Sequence, residues 1–425
     1  MIEIPADSRS VLSPALSVPV RAGSHWPPPW LFAVLPLACG IYTGYCQTPL
    51  PWLLRRMGYS VDRIGSIESF ILIPISLYFI ATPLVDFGLR RRTWSVVLSV
   101  LSGLLLFLSI VLLRTRLELA VWVLFLGAGL NQMTFACSNG MMAKSQHGEH
   151  LSRAAAWAQG GTLAAQALGG GALLYFSRRL PVPVLGALAA VLATIPALLA
   201  LTIPEAPPQS GLHNLRSSCS RMLGEIKETL FSLKSLPGIL LLLSPIGTGA
   251  AQNLFPALAA EYHVGEHGVV LLNGLLGGVL TMLGAFVAVV VPGHWDRRIC
   301  YAASGLSASL IGIYLTFAPL VPAAYYAGVG LYLLTTGSCW GFFLGVVMVT
   351  LGEAGASAST RATILVCIGN LPIVYMTRAE AWAYGLFGIR GVPAIDAAGN
   401  LFVVVGVAIW LAARLRARPA AALAS

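Results

Sequence analysis

The sequence predicts an all-α polytopic membrane protein, with twelve transmembrane helices arranged as two six-helix bundles. Three observations carry this reading. First, 57% of the 425 residues are hydrophobic and only 10% are charged, with a mean hydropathy of +0.80. A soluble domain runs about 25% Asp, Glu, Lys and Arg, so a water-soluble fold of this length would lack the charge to cover its surface. Second, apolar runs of bilayer-spanning length, about 20 residues each, recur along the whole chain between short charged or Pro/Gly-rich breaks. Third, one longer polar interruption falls between the sixth and seventh runs. Together these exclude a cytosolic enzyme and a disordered chain.

In order, the runs centre in 30–52, 64–85, 94–113, 119–142, 154–176, 181–203, 237–260, 268–292, 299–319, 323–350, 362–377 and 398–413. Each must be helical, because lipid offers backbone N–H and C=O groups no partners. The eleventh carries Asn370 and Pro372, and its continuation from Thr377 to Arg390 reads as a mixed aromatic and charged stretch. Residues 1–27 are Pro/Ser-rich, show no cleavable signal, and form a tail. Residues 28–203 make the first bundle, 204–236 a linker, 237–417 the second bundle, and 418–425 a second tail. The linker opens with Pro204-Glu205-Ala206-Pro207-Pro208. It then places Met222, Ile226, Leu230 and Leu233 at helical spacing among Arg221, Glu225, Lys227, Glu228 and Lys234, which predicts an amphipathic helix on the membrane surface.

With both termini cytoplasmic, 17 of the 26 Lys and Arg residues fall on cytoplasmic segments and 9 on external ones. That bias supports this orientation, with Arg55 and Arg56 counting against it. The net charge of +10 is spread in small groups between apolar runs. It therefore reads as topology, with lipid as the partner and no nucleic acid. The seven cysteines are scattered, mostly in apolar runs, without a Cys-x-x-Cys pair, so neither a disulfide framework nor a metal site is expected. His147 and His150 sit three apart but lack third and fourth ligands. Gly169-Gly170-Gly171 lacks the Gly-Lys-Ser/Thr ending of a phosphate loop and suits close helix contact instead. No cofactor is expected.

The polar residues inside apolar runs are the candidate site. Tyr42 and Tyr45 are three apart in the first run, with Gln47 nearby; Asn131 and Gln132 interrupt the fourth; Gln159 and Gln166 share a face of the fifth. Gln252 and Asn253 lie in the seventh, Asn273 in the eighth, Trp340 in the tenth and Asn370 in the eleventh. Amides and phenols supply donors and acceptors without fixed charge, which suits a ligand rich in hydroxyls and amides. The competing role is plain helix–helix hydrogen bonding, worth about 0.6 kcal/mol per residue. Glu68 reads as the only acid clearly inside an apolar run. A mid-bilayer acid costs about 2.5 kcal/mol or more on insertion scales, and such residues usually face a cavity. Glu68 is thus the candidate proton carrier, against the alternative that it pairs near the interface with Arg63 or Arg56. Arg378 is read as an interface residue partnered by Glu380.

The two halves echo each other. Gly40 and Pro49 are nine apart in the first run, as are Gly247 and Pro256 in the seventh, and each following run ends at an acid with arginines: Asp86-Phe87-Gly88-Leu89-Arg90-Arg91-Arg92 and Asp296-Arg297-Arg298. Parallel six-helix repeats are one transporter plan.

These loops resemble those of the major facilitator superfamily, whose second helix is followed by Gly-x-x-x-Asp-Arg-x-Gly-Arg-Arg. Asp86, Arg90 and Arg91 match the acid and the paired arginines, while Thr82 and Phe87 depart from the pattern; Asp296 and Arg297 match the weaker second copy. The stretch from Pro49-Leu50-Pro51-Trp52 through Arg55-Arg56-Met57-Gly58-Tyr59-Ser60 to Pro83-Leu84-Val85-Asp86 is similar to AmpG-type muropeptide permeases and the related acetyl-CoA transporters. The superfamily resemblance implies the major facilitator fold, no enzymatic activity, and a secondary transporter working by alternating access as a monomer in a bacterial inner or plasma membrane. It further implies a small organic solute and a coupling ion as partners, gating by Asp86, Arg90, Arg91, Asp296 and Arg297, and a site between the first, fourth, seventh and tenth helices. Drug or metabolite efflux by the same fold, or a non-transporting receptor or scaffold, are the alternatives.

Overall fold

A computed structural model describes residues 27–85, 88–146, 148–204, 212–232, 235–292, 294–351 and 358–422. Among the described residues the chain is helical with no strand. Among the described residues nine stretches are long and apolar enough to cross a membrane: Leu31–Arg56, Val61–Val85, Arg91–Leu112, Leu117–Ser145, Val182–Thr202, Glu266–Val290, Arg297–Phe317, Pro322–Leu351 and Thr360–Ile409. The last holds two helices, Ala358–Phe387 and Gly391–Ala422. Two further crossings are interrupted. The fifth runs from Gly148–Ala167 through a π-helical turn, Leu168–Ala172, into Leu173–Phe176. The seventh is Leu236–Leu242, an unwound stretch, and the short turns Ala250–Asn253, Phe255–Leu258 and Ala259–Tyr262. The total is twelve crossings, six on each side of the linker.

In the first bundle the third span packs on the fourth and sixth, and the first on the fifth; in the second, the ninth packs on the tenth and twelfth, and the eighth on the tenth. Between bundles the second span lies along the eleventh, and the fifth crosses the eighth. Small residues set these approaches. A Cβ at Gly40 would meet Ala165, and one at Gly44 the backbone of Gln166 and Gly170, so the first and fifth spans touch backbone to backbone. At the inter-bundle crossing, a Cβ on Gly274 would run into the backbone of Gly171. The outward faces carry exposed large apolar side chains, among them Leu104, Phe286, Val290, Phe317 and Phe402. In water that surface would be a liability, and in lipid it is solvated.

Local signals explain several boundaries. Ser60 caps the second span by accepting from the Arg63 N–H at 3.3 Å, and Asp296 caps the ninth by accepting from the Arg298 N–H at 2.9 Å. Pro49 restarts the helix after the break at Thr48, and Pro256 opens Phe255–Leu258 in the same way. The other repeated position differs: Gly40 is helical, whereas Gly247 has a left-handed φ of +63° in the unwound part of the seventh span.

The linker helix forms over Leu212–Phe231, with Met222 buried and Leu223 and Phe231 exposed. It is tied to the eleventh span by Arg361, whose guanidinium reaches both Glu225 and Glu228. Leu233, Lys234 and the opening Pro-rich turn at 205–208 lie outside the described residues. The eleventh helix extends to Phe387, taking in the stretch read from sequence as its mixed tail, and the twelfth starts at Gly391. The physical reason is that Thr377 and Glu380 are buried among neighbouring helices while the exposed Arg378 is paired with Asp62 of the first bundle.

Candidate functional site

The molecule has two ends: the linker end, and a far end where the first span turns into the second, the seventh into the eighth and the eleventh into the twelfth. The site is best built from the interface between bundles that runs from one end to the other.

On the first-bundle side, Tyr42 is 2% exposed and donates its hydroxyl to the Leu124 carbonyl at 2.6 Å, tying the first span to the fourth. Asn131 is also buried in this seam; its Nδ2 donates to the Cys39 carbonyl at 3.4 Å. These two therefore serve helix–helix bonds. Tyr45 is fully buried with no partner for its hydroxyl, at the edge of a far-end cleft of about 600 Å³ whose mouth carries Arg56, Arg114 and Arg178. Glu68 is 1% exposed, lies near Tyr45 and Cys46, and leaves Oε1 without a hydrogen bond. Neither Arg63 nor Arg56 pairs with it. Gln47, Gln132 and Gln166 are half-buried, and Gln159 is exposed.

On the second-bundle side, Asn253 is 1% exposed and donates Nδ2 to Thr377 Oγ1 at 3.3 Å, with Oδ1 unpartnered. Gln252 and Trp340 are half-buried. Asn273 accepts at Oδ1 from the Tyr325 hydroxyl at 2.8 Å, and its carbonyl receives the Thr48 hydroxyl from the first bundle at 3.5 Å. Asn370 also crosses, donating to the Ile75 carbonyl at 3.3 Å. The candidate residues are thus spread along the interface and the two seams beside it, not gathered in one pocket.

Two features escaped the sequence reading. Glu380 and Asp396 are both fully buried and lie side by side, the first on the eleventh span and the second on the twelfth. Among the described residues Glu68 is therefore one of three buried acids within candidate spans, and Arg378 pairs with Asp62 rather than with Glu380. The available signal was the flanking sequence, since Ala381 follows Glu380 and Ala397-Ala398 follow Asp396. The second feature is a set of ion pairs joining the bundles at the far end. Arg378 pairs with Asp62 at 2.7 Å, Arg55 with Glu261 at 3.1 Å, and Glu266 with both Arg178 at 3.2 Å and Arg56 at 3.6 Å. The Tyr384 hydroxyl donates to Glu261 at 2.6 Å. Each pair has one member on each bundle. Arg55 and Arg56, which weaken the charge-bias count, are there as counterions of the other bundle.

At the linker end a cleft of about 150 Å³ lies between Tyr78 and Asn139 of the first bundle, Thr363 and Ile364 of the second, and Met222 of the linker helix. Of the motif residues, Asp86 lies outside the described residues. Arg90 is the cap residue of the third span, and Arg91 packs against Gly140 of the fourth. Asp296 caps its own helix, and Arg297 donates to the Ala288 carbonyl at 3.3 Å, within the second bundle.

A family model described as the Major Facilitator Superfamily matches residues 31–371. No curated protein matches the chain. Among solved structures, a D-xylose-proton symporter is similar with a TM-score of 0.66 at 15% identity, covering 89% of this chain and 95% of its own. The nucleoside transporter NupG, as a D323A mutant, gives 0.66 at 13% identity over 89% and 98%. A POT family transporter in complex with 5-aminolevulinic acid gives 0.70 at 10% identity over 90% and 95%. At these identities the likeness is one of fold, while the family match covers most of the chain. The chain belongs to the Major Facilitator Superfamily and is a multi-pass membrane transporter rather than an enzyme.

Proposed function

We propose that this chain is a secondary active transporter that moves a polar, largely uncharged organic solute by alternating access, driven by a proton gradient. The observation that carries the reading is the far-end closure. Two bundles that are each held internally by packed helices are joined there by solvent-accessible ion pairs, which can part at low cost. The substrate class follows from side chains that offer amide, phenol and indole groups and few interior cations: Gln47, Gln132, Gln166, Gln252, Asn273, Trp340 and Asn370. A sugar or a muropeptide-type fragment fits that chemistry, and the relatives of similar fold are described as acting on xylose and nucleosides. A highly phosphorylated substrate such as acetyl-CoA does not fit it. Glu68, buried and half-unsatisfied beside Tyr45, is the proton carrier of the first bundle. The linker end faces the cytoplasm, with Asp86, Arg90, Arg91, Asp296 and Arg297 gating it, and one chain is the working unit.

The test is uptake into proteoliposomes of sugars, nucleosides and muropeptides, preselected by thermal shift, with and without an imposed pH gradient. Proton-driven accumulation of one class is the expected result; outward pumping of drugs under the same gradient would replace import by efflux. Glu68→Gln is expected to abolish accumulation while leaving downhill exchange. Accumulation that survives in this variant removes Glu68 from the mechanism.

A further inference from the structure

We propose that Glu380 and Asp396 form a proton-binding centre of the second bundle, holding one exchangeable proton between them, and that its occupancy is linked to the far-end closure through the eleventh span. Both side chains are wholly shielded and face one another just inside the far end, where Glu380 falls between Arg378 and Tyr384 on the eleventh span. Among the described residues neither forms a salt bridge and no backbone or amide N–H reaches their four oxygens, with the Tyr332 hydroxyl standing beside Asp396. Two ionised carboxylates are acceptors only, so facing one another they can form no bond; one protonated carboxyl supplies the missing donor. Without that proton, two like charges would share a site where even one is costly. With it, the pair is a neutral-plus-anionic hydrogen-bonded dyad.

The groups around the dyad are few. The tenth span presents the Tyr332 hydroxyl, against Asp396, and the Cys339 thiol. The seventh span reaches the neighbouring turn of the eleventh through Asn253, which bonds Thr377 and whose Oδ1 is also unpartnered. The ninth reaches this region through Tyr301, beside Cys339. On the twelfth, Asn400 donates Nδ2 to the Asp396 carbonyl at 2.9 Å while its Oδ1 receives the Gly247 N–H at 2.8 Å. The nearest charge along the eleventh span is Arg378, two residues before Glu380 and paired with Asp62 of the first bundle; four residues beyond Glu380, the Tyr384 hydroxyl bonds Glu261 and Arg55.

This placement gives the dyad a mechanical connection. Tyr384 is four residues beyond Glu380, one helical turn away, and Thr377 is three residues before it, so all three share a face. Thr377 holds Asn253 of the broken seventh span, and Tyr384 holds the Arg55–Glu261 pair that joins the bundles. Taking up a proton neutralises one carboxylate and lets the eleventh and twelfth helices stay packed; releasing it leaves two anions that push those helices apart. Motion of the eleventh helix is transmitted to Glu261 above and to the glycine-hinged seventh span beside it. The deeper role in coupling rests on the transport reading above, but the centre itself does not need a substrate to be detected.

The experiment is infrared difference spectroscopy of the full-length protein in lipid, titrated from acid to alkaline pH with potassium as the only metal cation, and repeated with sodium. The expected result is a carboxylic-acid C=O band present at neutral pH, shifted in D₂O, lost in alkali, moved in frequency or midpoint by either Glu380→Gln or Asp396→Asn, and absent when both are replaced. A Glu68→Gln variant should retain it. Far-end thiol accessibility should depend on pH in the native chain and lose that dependence in either dyad variant. If the dyad variants are too unstable, the titration of Glu68→Gln, which removes the other buried acid, decides alone. Absence of the band at neutral pH, or its suppression by sodium, overturns the proposal, the latter result pointing to a bound metal cation instead. A band that behaves as expected in a protein that accumulates no solute would leave the centre standing and refute the transport reading.

Discussion

Opening of the far end should become easier when its ion pairs are removed, and the size of the effect can be estimated. The perturbation is Glu261→Gln with Glu266→Gln. Glu266 is the better buried member of its cluster, its side chain 10% exposed against 60% for Arg178 and 50% for Arg56, and it serves both arginines. Glu261 is 26% exposed and is bound by Arg55 and by the Tyr384 hydroxyl. Exposed pairs contribute about 0.2–1 kcal/mol each, and a hydrogen bond to a charged group about 1.5–3 kcal/mol. Discounting for solvent screening, the double variant should favour the open far end by about 2 kcal/mol, or roughly thirtyfold. The reporter is Thr48→Cys in a background lacking the native cysteines. Thr48 is 3% exposed and touches Asn273 across the bundles, so an impermeant thiol reagent reaches it only after the far end parts. If opening is fast, labelling rate follows the open fraction, and it should rise on the order of tenfold or more. Salt at 1 M, with a Debye length of about 3 Å, should raise the native rate and barely change that of the variant. A labelling rate within about twofold of native in the double variant would refute the latch.

Three other outcomes follow from the same packing. Gly274→Leu drives a side chain into the Gly171 backbone at the crossing of the fifth and eighth spans; it should lower thermal stability by about 1–3 kcal/mol, read as a drop in melting temperature in detergent, and an unchanged melting curve would show that the crossing is not tight. Gly249→Ala forces a Cβ into a left-handed backbone, φ +66°, against Thr336, at about 1–2 kcal/mol; loss of thermal stability is expected, and none if the seventh span is a continuous helix in the membrane. Tyr42→Phe removes the bond to the Leu124 carbonyl and should cost about 1 kcal/mol in thermal stability without abolishing transport; complete loss of transport with native stability would assign Tyr42 to the solute instead.

Much of the architecture was legible from one physical fact: lipid solvates neither charge nor unpaired backbone, so the number of helices, their order, the linker helix and the division into two bundles follow from hydropathy and spacing alone. The same reasoning failed at the end of the eleventh span. Hydropathy averages over neighbours in sequence, and Thr377, Arg378 and Glu380 lower that average. Whether a carboxylate can sit in a membrane depends on neighbours in space. Glu380 is enclosed by side chains of other helices, Asp396 among them, and Arg378 meets Asp62 from the other bundle.

The polar residues divide along the same line. The sequence identified which of them lie inside apolar helices, including Tyr42, Glu68, Asn131 and Asn253. It could not say which way each faces, because helical periodicity relates residues on one helix and carries no register between helices. Only the packing decided that Tyr42 and Asn131 bond the first span to the fourth, that Arg55 and Arg56 answer acids of the opposite bundle, and that the seventh span unwinds at two left-handed glycines. Composition determined that the chain lives in lipid as twelve helices. Contacts between residues far apart in sequence determined where its buried acids meet and at which end ion pairs join the two bundles.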